Sequence, residues 1–202
     1  MGRAEERSPS AFLCFFLFPQ DWGNKGVEGG LPDRHDRHSI RLKGYDYAEP
    51  GAYFVTVCSR DHACLFGHVV NGEMHLNEAG LIVRSVWDEL PDRFPGMESD
   101  AFVVMPNHIH GIIAVVGAGL ALPTGKGAAS SARTLADVVR AFKSLSAIHI
   151  NRRLMRSGSL WQRNYYEHVV RSEVKLTAIR EYILGNPARW DDDENNPAFV
   201  EG

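Results

Sequence analysis

Short β-branched runs alternate with amphipathic helical stretches along this chain, and that alternation constrains its fold more than any other feature. Residues 53–58 (YFVTVC) are β-branched and aromatic, as a buried strand requires. Residues 64–70 and 73–76 flank Asn71-Gly72, a dipeptide suited to a two-residue hairpin turn. Asn77 is an N-cap residue type, and Ala79, Ile82, Val83, Val86, Trp87 and Leu90 then recur at helical spacing until Pro91 marks a stop. Residues 102–105 predict a second buried strand. Pro106-Asn107 breaks it, and residues 108–116 form a third apolar run. Thr134 and Asp137 resemble a capping box, opening a helix with Leu135, Val138, Val139, Phe142 and Leu145 on one face. Residues 160–170 (LWQRNYYEHVV) read as aromatic and extended. Ser172 caps a last helix, whose core face carries Leu176, Ile179 and Ile183 and which ends at Asn186-Pro187.

The order β, hairpin, α, β, β, α, β, α predicts an α+β fold: a ferredoxin-like antiparallel sheet with helices packed mainly on one face. Three parts are expected: an N-terminal extension over 1–36, one domain over 37–190 and an acidic tail over 191–202. The extension holds an apolar run at 11–18 (AFLCFFLF), but Glu5 and Glu6 offset Arg3 and Arg7, and no small-residue cleavage site follows. A secretory leader is therefore not expected, and Gly-rich residues 23–32 read as a linker. No apolar run approaches the roughly 20 residues that span a bilayer. The three cysteines form neither a paired framework nor a CxxC, which fits a reducing, cytoplasmic setting.

Charge matters here through its distribution. The chain carries a formal −3 overall. Residues 133–180 nevertheless hold ten Lys and Arg against three Asp and Glu, a local +7. Phosphate neutralisation needs local positive charge, so this block is a candidate polyanion-binding face. Solvated helix faces would look the same. Trp161, Arg163, Tyr165, Tyr166, His168 and Arg171 interleave rings with basic groups, a mixture able to stack bases and neutralise phosphates of single strands. Packing of those rings on a sheet is the plainer alternative.

His108-Ile109-His110 is the sharpest local motif. Side chains of a strand alternate faces, so the two imidazoles share one face while Ile109 enters the opposite layer. Two histidines so placed make half of a divalent-metal site, although ordinary packing also produces such pairs. On the last helix, Tyr182 and Asn186 stand four residues apart and so share a face at the edge of the apolar stripe. The tyrosine could keep a free hydroxyl there and the asparagine could offer an amide oxygen, or they could be a core-edge ring and a helix end.

Taken in order, SIRLKGYDYAEPGAYFVTVCSRD, VMPNHIHGII, SLWQRNYYEHVVR and IREYILGNP resemble the REP-associated tyrosine transposases of the single-tyrosine HUH nuclease superfamily, in which U is a hydrophobic residue. The resemblance covers residues 37–190; the first forty residues and the loop at 117–132 depart from the pattern. It implies that His108 and His110 are the HUH pair, that Tyr182 is the nucleophile and that Asn186 is the third metal-binding side chain. It implies a divalent ion, Mg²⁺ or Mn²⁺, and single-stranded or hairpin DNA as substrate, cleaved and rejoined through a 5′-phosphotyrosine by a monomer or homodimer. Arg152, Arg153, Arg156, Trp161, Arg163 and Arg171 are then the expected DNA-contacting residues. Two rivals stand beside this reading: a ferredoxin-like nucleic-acid-binding module without catalysis, and a metal-dependent hydrolase using activated water.

Overall fold

The computed structural model describes residues 51–115 and 134–199. The N-terminal extension, the start of the expected domain and the loop at 117–132 lie outside the described residues. The central sheet has four strands: β1 (Gly51–Cys58), β4 (Met97–Val104), β5 (His108–Val115) and β6 (Tyr166–Val170). Their order is β4-β5-β1-β6, with every neighbouring pair antiparallel. A separate hairpin, β2 (Gly67–Val70) and β3 (Glu73–Leu76), follows β1. Helices α1 (Glu78–Asp88), α2 (Leu90–Arg93), α3 (Leu135–Arg153) and α4 (Glu173–Gly185) complete the element order. With the hairpin and α4 set aside, β1, α1, β4, β5, α3 and β6 give the βαββαβ arrangement and strand order of a ferredoxin-like sheet.

Local chemistry explains the starts of the elements. Asn71 and Gly72 both have positive φ (52° and 76°), as a type I′ turn demands. Asn77 accepts from the Gly80 amide at 3.0 Å, capping α1. The Thr134 amide and hydroxyl both donate to the Asp137 carboxylate, opening α3. Ser172 accepts from the Lys175 amide and opens α4. Pro91 does not end the helical course as expected. It sits in the first turn of α2, where its missing N–H is no loss, so a second short helix follows the first. The extended stretch at 160–170 is a strand only from Tyr166. Upstream of it, the Lys143 ammonium donates to the carbonyls of Gln162, Arg163 and Asn164 and ties that segment to α3.

The sheet separates two apolar layers. Tyr53, Val55, Val57, Ile109 and Ile113 face α1 and α3, together with Val83, Val86, Trp87, Leu135, Val139 and Phe142. Phe54 and Ile112 face the other way, against Ile179 and Ile183 of α4 and against Trp190. Helices α1 and α3 thus share one face as expected, and α4 covers the second. Among the described residues, no helix is long and apolar enough to cross a membrane.

Gly111 is the tightest point of the first layer. A Cβ there would lie 2.4 Å from the Trp87 ring, which itself stacks on Phe102 at 4.3 Å. Gly111→Ala should therefore force ring and strand apart and destabilise the fold by about 1–3 kcal/mol, the usual cost of overpacking. Denaturant midpoints of the two proteins check this, and an unchanged midpoint would show that the layer can yield.

Candidate active site

The site lies on the second face, where β1, β5, α4 and the residues after α4 meet. Strand alternation sends His108 and His110 to this face together, and both are buried (0% and 3% exposed). Their Nε2 atoms are 3.1 Å apart. The His110 Nδ1 is 2.8 Å from the hydroxyl of Thr56, its cross-strand neighbour on β1. The His108 Nδ1 lies 2.9 Å from the amide oxygen of Asn107. Phe54 stacks on the His110 ring and Trp190 packs against His108, so both imidazoles are fixed by apolar neighbours.

Helix α4 brings the next group. Ile179 and Ile183 are fully buried in the second layer, and Tyr182 follows on the edge of that stripe. Its hydroxyl reaches to 3.5 Å from His110 Nε2. Asn186 caps α4 and is buried, and its side chain hydrogen-bonds Tyr182. The structure thus brings together His108, His110, Tyr182 and Asn186, which spacing alone presents as two separate pairs and only the resemblance implies as one site.

Sequence reasoning missed one participant. A 3-10 turn, Pro187–Asp192, carries the chain from α4 back across the site, and Asp193 follows it. Its Oδ2 lies 3.7 Å from His108 Nε2, and His108, His110 and Asp193 each offer a ligand atom within 4.8 Å of the others. The Asn195 amide and side chain donate to Asp193 Oδ1 at 2.8 and 2.9 Å. Residues 193–196 are mostly buried, so what reads as the start of an acidic tail at 191 includes a packed wall of the site. The sequence signal for Asp193 is no more than its place in the run Asp191–Glu194, shortly after Asn186.

Burial sets the electrostatics. Loss of solvent, aided by His62, pushes His108 down to about 3, and loss of solvent pushes His110 well below its ordinary value. Both imidazoles are therefore neutral and can present lone pairs. Burial, then the Asp193 charge, raises the Tyr182 hydroxyl, while the Asn186 hydrogen bond works the other way. A stability consequence follows for the metal-free protein. Unfolded histidines take up protons below about pH 6.5 and these two do not when folded, so acid favours the unfolded state. From about pH 6.5 toward 3, His108 should cost about 1.4 kcal/mol per pH unit, and His110 adds a loss of the same sign. Thermal melts across that range check it; a midpoint that holds level would mean the pair accepts protons in place.

The acceptors at this site outnumber their donors. Asn186 Oδ1 and Asp193 Oδ2 are buried without a hydrogen-bond donor, beside two facing imidazole nitrogens. Unsatisfied buried acceptors are costly, and a cation would satisfy all of them at once. The donor set of two imidazoles, an amide oxygen and a carboxylate suits a divalent ion of intermediate softness.

Five of the six expected DNA-contacting residues lie at the surface and the sixth is buried. Arg152, Arg153, Arg156, Arg163 and Arg171 are exposed. Arg152 and Arg153 end α3, which lies on the face opposite the histidines, and Arg153 pairs with Glu78 at 2.7 Å. Trp161 does not offer its ring for stacking. It is buried between Phe66 and Phe142 and donates to the Ser146 hydroxyl at 2.9 Å.

No family model matches the chain. A protein of Haemophilus influenzae whose function is uncharacterized is 40% identical over 168 residues, covering 79% of this chain and 93% of that one. A second H. influenzae protein, named "Putative REP-associated tyrosine transposase", is 24% identical over 149 residues, 71% of this chain and 74% of its own. Two solved structures are similar at lower identity. One, a REP-associated tyrosine transposase bound to a REP hairpin, shows 23% identity with a TM-score of 0.49, over 75% of this chain and 74% of that one. The other, described as a putative transposase from Deinococcus radiodurans, shows 18% identity with a TM-score of 0.42, over 72% and 96%. Over most of its length the chain is thus similar to two H. influenzae proteins, and at 24% identity one of these is named as a REP-associated tyrosine transposase.

Proposed function

We propose that this protein cleaves and rejoins single-stranded hairpin DNA in the cytoplasm, through a 5′-phosphotyrosine formed on Tyr182. The observation that carries this is the approach of the Tyr182 hydroxyl to His110, within a buried cluster rich in metal-ligand atoms. His108 and His110 would hold a divalent ion, with Asn186 and Asp193 supplying oxygen. Such an ion, when bound, supplies Lewis-acid polarisation of the scissile phosphate and favours the phenolate of the nearby tyrosine. Mn²⁺ matches imidazole better than Mg²⁺.

The residues themselves define the step. Helix α4 aims Tyr182 Oη at the site, and Phe54 packs edge-on against its ring at 6.2 Å, which limits its swing. Oη attacks phosphorus, the P–O3′ bond breaks, and the departing oxygen takes a proton to become a free 3′-hydroxyl. Reversal by a 3′-hydroxyl rejoins the strand without a nucleotide cofactor, because the phosphotyrosine conserves the ester energy. His108, His110, Tyr182, Asn186 and Asp193 all come from one chain.

The test is a labelled single-stranded hairpin incubated with the protein and Mn²⁺, then resolved under denaturing conditions. A covalent protein–DNA band is expected. Cleavage without a band would favour activated water, and binding without cleavage would favour a module that lacks chemistry. The role of the basic surface in DNA binding is tested separately. Arg152→Ala with Arg153→Ala should weaken binding to all sequences and flatten the salt dependence. On single strands the log–log slope should change by roughly 0.7 for each phosphate that is no longer neutralised. Unchanged affinity across a salt series would make this surface a solvated helix end.

A further inference from the structure

We infer that Asn107 is the positioning residue of this site: it fixes the tautomer of His108 and seats the segment that carries Asp193. The inference deepens the metal-binding reading above and rests on it for the effect on ion affinity, whereas the tautomer assignment stands independently.

Asn107 ends the turn between β4 and β5 and is fully buried. A primary amide has two N–H donors and one carbonyl oxygen. Both donors are committed: Nδ2 donates to the His62 carbonyl at 3.0 Å and to the Asn195 carbonyl at 2.6 Å. Turning the amide over would set its oxygen against two carbonyl oxygens, so the orientation is fixed by its partners. Oδ1 can only accept, and its neighbour at 2.9 Å is His108 Nδ1. That nitrogen must therefore carry the proton. In a neutral imidazole this leaves Nε2 bare, and Nε2 is the atom facing His110 and Asp193.

His110 is held differently. Its Nδ1 meets the Thr56 hydroxyl, which can donate or accept. Without an ion, His110 can present an Nε2–H to the bare Nε2 of His108 at 3.1 Å. With an ion, its proton can sit on Nδ1 and be donated to Thr56. One histidine is locked in the metal-ready tautomer and its partner adapts, so the pair avoids two opposed lone pairs in the ion-free protein.

The second consequence runs through Asn195. Its carbonyl is held by Asn107, and its own amide groups grip Asp193 Oδ1, which leaves Oδ2 turned to His108. One side chain thus ties together the loop after β1, the histidine strand and the segment after α4. Outer-shell partners of this kind typically change metal affinity by about 10–100-fold when removed.

The experiment uses the full chain, labelled with ¹⁵N and free of metal. Long-range ¹H–¹⁵N correlations read which ring nitrogen of His108 carries hydrogen, with His108→Gln giving the assignment. The wild type should show His108 protonated on Nδ1; protonation on Nε2 overturns the inference. Asn107→Ala should then lose that single tautomer and weaken Mn²⁺ binding, followed by electron paramagnetic resonance, by about 10–100-fold. If the wild type binds Mn²⁺ and Asn107→Ala binds it equally, Asn107 does not position the site. If the wild type binds no Mn²⁺, the metal reading fails, while the tautomer result still decides the role of Asn107 toward His108.

Discussion

Tyr182→Phe should abolish the covalent protein–DNA adduct while leaving hairpin binding nearly intact. The substitution removes one oxygen and keeps the ring, so the edge-on contact with Phe54 and the packing of Ile179 and Ile183 survive. What disappears is the hydroxyl that the structure sets beside His110, and with it the proposed nucleophile. Two other tyrosines supply the controls. Tyr165 packs with the first apolar layer, on the sheet face opposite the histidines, and cannot reach them without refolding. Tyr166 shares the site's face and packs against Phe54 at 6.3 Å. It sits on β6, however, one strand beyond β1, and Asn186 hydrogen-bonds Tyr182. Tyr166→Phe should therefore keep the adduct. A gel of Tyr182→Phe, Tyr166→Phe and Tyr165→Phe with labelled hairpin settles the matter: a band persisting in Tyr182→Phe, or absent only in Tyr166→Phe or Tyr165→Phe, would overturn the assignment.

How far the sequence shows this site depends on which forces place each residue. The caps at Asn77, Thr134 and Ser172, the Asn71-Gly72 turn and the alternation of β1 and β5 are local, and each is legible from a few neighbouring residues. The sharing of a face by His108 and His110 follows from the two-residue period of a strand, and the pairing of Tyr182 with Asn186 from one helical turn. That these two pairs meet is not local. It depends on α4 crossing the second face, and the ordered motifs supply that only through resemblance. Asp193 lies beyond both kinds of reading. Among acidic neighbours it looks solvated, and it is buried because Asn195 and Trp190 hold its backbone and carboxylate from outside any regular element. Trp161 fails in the opposite sense. Flanked by basic residues it looks like a stacking platform, but Phe66, Phe142 and the Ser146 hydroxyl complete its environment from distant parts of the chain. The first half of β4 (Met97 to Asp100) is too polar to read as strand, and its hydrogen bonds to β5 form across a bulge between Ser99 and Phe102.

Removal of divalent ions with EDTA should stop cleavage, and added Mn²⁺ should restore it. The ligand set predicts how unequal the contributions are. His108→Ala should be the most damaging change, because it deletes the imidazole whose bare nitrogen faces both His110 and Asp193, and a borderline ion prefers that nitrogen to an amide oxygen. It also strands the Asn107 oxygen in the interior without its donor. Asn186→Ala should be milder, since an amide oxygen is a weaker ligand, although loss of its hydrogen bond should leave Tyr182 less well aimed. Asp193→Asn separates two effects of one carboxylate. It lowers ion affinity by removing a negative oxygen, and it lifts the charge that raises the Tyr182 hydroxyl. At limiting Mn²⁺ the first effect should dominate and cleavage should fall; at saturating Mn²⁺ the second should recover much of the rate. A titration of adduct formation against Mn²⁺ for the wild type and these three variants distinguishes the roles. Full activity of the wild type in EDTA would remove the ion from the mechanism, and with it the reason for two neutral histidines and a buried carboxylate to share one cluster.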